Sequence, residues 1–234
     1  MKTLLLLFFI FIGYIDLSAQ DSTFVVIKAG NKVKDVLTAA DIYSYPQFTN
    51  GKVFFKDGSK AVAKLNYNRL FDQMLFIAPK GDTLALADEK LIKFIAIDRD
   101  TFYFDEGYMR LISNEGGIKL TEKQVWVVAD IQKMGTHNRP TTTVAITSLS
   151  TYTDETAKAK SYNLILNEDI ILRKETRYYF GDKYNRFVLA DKKRLLIFFH
   201  EKQQIIENYI KENKINFDKI DDLEKLARFL SQQY

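Results

Sequence analysis

Gly51-Lys52-Val53-Phe54-Phe55-Lys56-Asp57-Gly58-Ser59, followed by Lys60 to Tyr67, is the stretch that decides the fold. Two runs of apolar and β-branched residues flank an Asp-Gly pair, the strongest short-range hairpin signal, because Gly takes the positive φ that such a turn needs. In the second arm Ala61, Ala63, Leu65 and Tyr67 fall on one face, and Lys60, Val62, Lys64 and Asn66 on the other. Period-two alternation of this kind predicts a half-buried strand.

Outward from this hairpin the same pattern repeats. Turn signals recur at Gly81-Asp82, Asp98-Arg99-Asp100, Glu106-Gly107, Gly116-Gly117 and Gly181-Asp182. Between them lie candidate strands at Gln73 to Ala78, Thr83 to Ala87, Leu91 to Ile97, Thr101 to Phe104 and Tyr108 to Ile112. Further on, Val125 to Gln132 alternates, and Thr141 to Ser150 is a small, β-branched run. Ile170, Leu172, Lys174, Thr176, Tyr178 and Phe180 line one face of a long strand, opposite Arg173, Glu175 and Arg177. Strands this short and closely spaced favour an antiparallel sheet, because parallel strands need long crossovers. The segments 133–141 and 152–161 read as loops.

The pattern changes after Ala190. Asp191 is placed to cap a helix from Lys192 to Phe199, and a second helix from about Glu201 to Lys214 carries Ile205, Ile206, Tyr209 and Ile210 on one side. Asp221 and Glu224 have capping-box spacing for a third, whose apolar stripe is Leu223, Leu226, Ala227, Phe229 and Leu230. Such helices are marginal alone in water and must pack on the β region. The expected fold is therefore α+β, mainly β. It is an antiparallel meander, sandwich or open barrel, followed by two or three C-terminal helices packed on it. Residues 20–190 supply strands and turns, residues 191–234 the helical segment, and no Pro/Gly/Ser linker divides them, so 20–234 reads as one domain.

The first nineteen residues read separately. Lys2 gives one positive charge, Leu4 to Ile12 is unbroken apolar sequence, Gly13 and Asp16 end it, and Ala19 is the small residue a signal peptidase needs. The run is too short to cross a bilayer core, which takes about 20 apolar residues. The expected cut falls between Ala19 and Gln20, with no transmembrane span left after it. The chain contains no cysteine. That removes disulfides, thiolate metal sites, cysteine nucleophiles and the lipidated cysteine of an anchored envelope protein. The expected location is the periplasm or the cell exterior, without a lipid anchor. A net charge of +4 is mild for this length and argues against nucleic acid as a partner.

Motifs for catalysis and metal binding fail residue by residue. His200-Glu201 opens a zinc-protease pattern, but Gln204 stands where the second His is required. His137 lies in a loop with Asn138 and Arg139 and no identifiable partner. Asp98, Asp100, Asp105 and Glu106 suggest a calcium loop, yet Tyr103 and Met109 occupy the positions of the required Gly and Glu. These carboxylates fit turn formation better. No metal, cofactor or catalytic set is expected. The 18 Phe and 13 Tyr are good strand residues for a core, and they are also rings on which sugars stack. Leu65-Asn66-Tyr67-Asn68 stands out, with Asn side chains suited to closing a turn on their own backbone.

Tyr45-Pro46-Gln47-Phe48, Gly51-Lys52-Val53, Asp57-Gly58, Leu65-Asn66-Tyr67-Asn68, Gly81-Asp82-Thr83, Tyr209-Ile210-Lys211 and Asn213-Lys214-Ile215-Asn216-Phe217 together carry one resemblance. The chain resembles a group of uncharacterised exported bacterial proteins of similar length, a likeness that implies no activity, cofactor or site residue. Two functional classes follow from the whole sequence. One is a non-enzymatic binding or envelope-associated structural protein, whose partner is an envelope component or another protein. The other is a hydrolase of glycosidase type using a pair of carboxylates outside the cytoplasm.

Mass spectrometry of the protein recovered from the producing cell should find a mature N-terminus at or within about two residues of Gln20. Recovery of intact Met1 in an envelope fraction would sink the signal assignment.

Overall fold

The computed structural model of the protein describes residues 24–134, 140–142, 147–148 and 169–234. The N-terminal stretch with Ala19 and Gln20, the loop containing His137 and the segment 152–161 lie outside the described residues, and only two short pieces of the 141–150 run lie within them.

Asp57-Gly58 closes the hairpin as its sequence requires. Gly58 has φ 91°, the Phe55 amide donates to the Ser59 carbonyl, and the Asp57 carboxylate accepts from the Ser59 amide at 2.8 Å. The hairpin joins β2 (Thr49–Phe55) and β3 (Lys60–Asn68). β3 continues through β4 (Gln73–Ile77) to β5 (Thr83–Ala85), and β2 pairs on its other side with β6 (Ile92–Ile97). From β6 the chain meanders through β7 (Asp100–Phe104) and β8 (Tyr108–Glu115) into β9 (Ile118–Met134). β12 (Asp169–Gly181) pairs with β9 along its length, and β1 (Phe24–Ile27) and β13 (Phe187–Leu189) add to its far side. β10 (Pro140–Thr142) and β11 (Thr147–Ser148) pair with β9. The result is one open, 13-stranded sheet in which every described pairing is antiparallel, the meander form of the expected fold.

Three apolar clusters stabilise it. The β2–β8 half curls round Leu65, Tyr67, Ile95, Ile97 and Phe102. A short N-terminal segment packs Val33, Leu37 and Ile42 on Trp126 and Leu172. The C-terminal helices α2 (Lys192–Phe198), α3 (Gln203–Glu212) and α4 (Ile220–Ser231) cover Ile118, Leu120 and Phe180.

Four sequence readings need correction. β3 is not half-exposed throughout: Asn66 is buried, because it accepts from the Tyr45 amide at 3.1 Å and donates to the Tyr45 carbonyl at 2.9 Å. Residues 24–46 are not only strand and turn. They include a 3-10 turn at Val33–Asp35 and the one-turn helix α1 (Ala39–Ile42), held by reciprocal Thr38–Asp41 capping. The second C-terminal helix begins at Gln203 after a 3-10 turn at His200–Lys202, since Phe199 leaves helical geometry (φ −103°, ψ 43°). The Asp221/Glu224 capping box does not form. Lys219 occupies the cap without a side-chain bond, and Asp222 instead accepts from the Asn216 amide at 3.1 Å.

The α4 stripe is buried on the protein's own sheet: Leu223, Leu226, Ala227 and Leu230 are fully enclosed, and Phe229 stacks on Tyr209 at 3.8 Å. Leu226→Ala should cost about 2–5 kcal/mol in chemical denaturation, as buried Leu truncations do. Truncation after Asp218 should lower the melting temperature and expose apolar surface to a hydrophobic dye. An unchanged melting curve would contradict this packing.

Candidate functional site

Where the helical layer meets the strand ends, three backbone segments enclose a cleft of about 350 Å³. The first is the β8–β9 turn. Gly116 (φ 56°) and Gly117 (φ 94°) form a two-residue turn with both central residues left-handed, the arrangement that matches strand twist and strongly favours Gly. Side chains there would also crowd their neighbours, since a Cβ on Gly116 would sit 3.3 Å from Ser231 and one on Gly117 3.3 Å from Lys183.

The second segment is the β12–β13 turn, Asp182 to Arg186, and it is organised by one carboxylate. Asp182 Oδ1 accepts from the Tyr184 amide at 2.9 Å and the Arg186 amide at 3.0 Å, while Oδ2 accepts from Arg186 Nε at 2.6 Å. The Asp182 carbonyl accepts from Lys119 Nζ at 2.7 Å and from the Asn185 amide at 3.1 Å. Burial lowers the pKa of Lys119, although Asp182 opposes the shift. With its backbone fixed in this way, the turn displays Tyr184 at 69% exposure. The Arg186 guanidinium lies 5.6 Å from the Tyr184 ring centre and 5.9 Å from that of Phe198, and Lys183 Nζ lies 5.2 Å from Tyr184. These are cation–π distances.

The third segment is the α2–α3 junction, from Phe198 to Glu201. Phe198 and Phe199 meet edge to face at 4.8 Å, and Tyr234 packs on Phe199 at 5.2 Å. The Tyr234 hydroxyl donates to the Phe199 carbonyl at 3.3 Å. Burial, and secondarily the Glu201 charge, raise its pKa, so it remains a neutral donor.

A second groove, of about 700 Å³, runs past β13. Its cations are neutralised locally: Lys123 by Asp72 at 2.6 Å, Arg177 by Glu175 at 2.5 Å and Arg194 by Asp191 at 3.1 Å. In the smaller cleft Arg186 is paired with Asp182 along its Nε–Nη2 edge, as Arg177 is with Glu175, but Lys183 has no carboxylate partner among the described residues. One cation without an ion pair among the described residues, Lys183, beside two exposed rings makes the smaller cleft the better candidate.

The residues singled out from sequence are mostly dispersed. His200 and Glu201 do line the cleft, but Gln204 points its amide at Asn208 (3.1 Å), and no group of three metal-ligating side chains occurs among the described residues. Asp100 binds Arg110 and the Tyr45 hydroxyl, Asp105 accepts from the Phe187 amide, and Asp98 and Glu106 are left-handed turn residues. Asn68 closes its own turn, accepting from the Leu70 amide at 2.9 Å, as its sequence suggests. Sequence reasoning missed Lys183, Tyr184, Arg186 and Tyr234. The one pointer was Gly181-Asp182, a turn signal followed by an aromatic residue between cations.

The Asp182–Arg186 pair is energetically one-sided. Asp182→Ala removes two turn hydrogen bonds, each worth roughly 0.5–1.5 kcal/mol, and should cost about 1–3 kcal/mol. Arg186→Met removes an exposed partner and should cost less than about 1 kcal/mol. Thermal denaturation of both variants checks this, and equal losses would contradict the role given to Asp182. Comparison with known proteins finds no protein-family model, no curated protein and no solved structure that matches this chain, so the site is defined by its own geometry.

Proposed function

We propose that this chain is an exported, non-enzymatic binding protein of the cell envelope, acting in the periplasm or outside the cell without a lipid anchor. The observation that carries this reading is the cleft, where two exposed tyrosine rings and Lys183, unpaired among the described residues, stand on three chain segments that meet over one core. Its volume lies at the small end of the range for ligand pockets, suited to one or two rings rather than an extended chain. The export part rests on the N-terminal charge, apolar run and Ala19.

The hydrolase reading draws on Asp182 and Glu201 lining the same cleft. Two carboxylates across a scissile bond are what glycoside hydrolysis requires. Against it, Asp182 accepts three hydrogen bonds, which occupy the lone pairs a nucleophile or base would use. Binding without turnover therefore fits the chemistry better.

The test exposes the purified protein to a soluble extract of cell-envelope fragments and follows melting temperature and fragment composition together. A raised melting temperature with an unchanged extract supports binding. Fragment cleavage that is lost in Glu201→Gln would replace this reading with the hydrolase. An unaltered melting temperature with no cleavage would remove the cleft as a binding site.

A further inference from the structure

We propose that the cleft selects a carboxylate-bearing saccharide, the carboxylate meeting Arg186 and the sugar ring stacking on Tyr184. This rests on the reading of the cleft as a binding site and adds its ligand class. The first argument is exposure. Tyr184 at 69% and Tyr234 at 52% are two of the large apolar side chains left open to solvent, and both stand on this cleft. A tyrosine ring offers an apolar face with a polar tip, and a sugar ring offers the complement, an apolar C–H face bounded by hydroxyls. Polar groups around the rings, Glu201 and His200, can accept from or donate to those hydroxyls. A purely apolar ligand would leave them desolvated and unpaired, which is costly.

The second argument is the state of Arg186. Its Nε–Nη2 edge is held by Asp182 at 2.6 and 2.5 Å, and its central carbon lies over the rings of Tyr184 and Phe198 at 5.6 and 5.9 Å. The guanidinium is thus oriented by Asp182 while its side chain stays exposed, and Nη1 has no partner among the described residues. A planar guanidinium with free N–H groups suits a planar carboxylate. Lys183, without a carboxylate partner among the described residues, adds positive charge on the same turn. Asp182 and Glu201 balance Arg186 and Lys183 in charge, so the carboxylate preference rests on the free Nη1 and on Lys183 rather than on net charge.

Isothermal calorimetry tests the assignment with three probes: a disaccharide containing glucuronic acid, its neutral glucose counterpart, and an N-acetylated dipeptide with a free carboxylate. The acidic disaccharide should bind at least tenfold more tightly than either other probe. Arg186→Met should reduce it to the level of the neutral sugar, and Tyr184→Leu should weaken both sugars. Equal binding of acidic and neutral sugars, unaffected by Arg186→Met, overturns the carboxylate assignment. Preferential binding of the dipeptide overturns the saccharide assignment. Silence from all three probes while the envelope extract still raises the melting temperature overturns this inference alone. Silence from the extract as well overturns the binding reading beneath it.

Discussion

The antiparallel ladder between β9 and β12 is the constraint on which the rest of the molecule is arranged. β9 is 17 residues long, and β12 pairs with it from Asp169↔Gln132 to Gly181↔Lys119, with a single irregularity at Ile171/Leu172. One edge of β9 is therefore taken, and every other neighbour must share the opposite edge. β8 holds the first part, from Ile118 to Glu122. The β3–β4 turn follows, with the Trp126 amide donating to the Arg69 carbonyl at 3.1 Å, and then β11 and β10. This succession of neighbours places two separate apolar clusters along one strand, one round Leu120 and one round Trp126. A one-residue slip would move Leu120 and Trp126 to the opposite face. Both are fully buried, so the register is held by two cores at once.

Polar contacts fix the places where packing alone would leave choice. α1 is a single turn and could not persist unaided. Trp126 Nε1 donates to the Asp41 carbonyl at 3.0 Å, and the Arg69 guanidinium donates to the carbonyls of Ala40 and Tyr43. The helix is thus tied at its C-terminal carbonyls by the strand and turn it covers. Asp72 does the same for the curled half of the sheet. It adopts a left-handed φ of 54°, uncommon for any residue but Gly, and its carboxylate accepts from the Tyr67 hydroxyl and the Tyr108 amide while pairing with Lys123. Gly107, at φ 127°, leaves room for that pair, since a Cβ there would collide with both Lys123 and Asp72. Local strain persists here because several neighbours over-determine the position.

Sequence periodicity revealed the elements long enough to repeat. The alternation in β3 correctly separates Leu65 and Tyr67 from Lys60 and Lys64, and the α4 stripe is buried as its spacing demands. Periodicity is silent for the 3-10 turn and α1, which are each about one turn long. It also assigns a face without naming what covers that face. Asn66 lies on the polar side of the alternation, but Tyr45 supplies both its hydrogen bonds and it is buried. The capping box failed for a related reason. Asp222 is engaged by the Asn216 amide and Lys225, so the chain enters α4 by a route that local spacing does not encode. The cleft was the least legible feature. Its residues come from two turns, a helix junction and Tyr234, and only the tertiary fold brings Gly116, Arg186 and His200 together.

The position of the cleft follows from the ladder that orders the fold. β9 begins where β12 ends, at the same end of the sheet, so the Gly116-Gly117 turn and the Asp182–Arg186 turn are carried side by side on the longest pairing described. β13 then leads the chain directly into α2, whose far end brings Phe198 to Glu201 onto the same rim. The walls are therefore built from elements anchored in a single core, that of Leu120, Phe180 and Leu226. A site made of loops is usually adaptable, because loops open at little cost in free energy. Here the turns are two and five residues long and internally hydrogen-bonded, and the aromatic wall is continuous with the core. Such a frame fixes the backbone of the Asp182–Arg186 turn and leaves the Tyr184 and Arg186 side chains exposed on it. On the proposed reading of the cleft as a binding site, selectivity comes from the fit of the ligand to this turn rather than from closure around it.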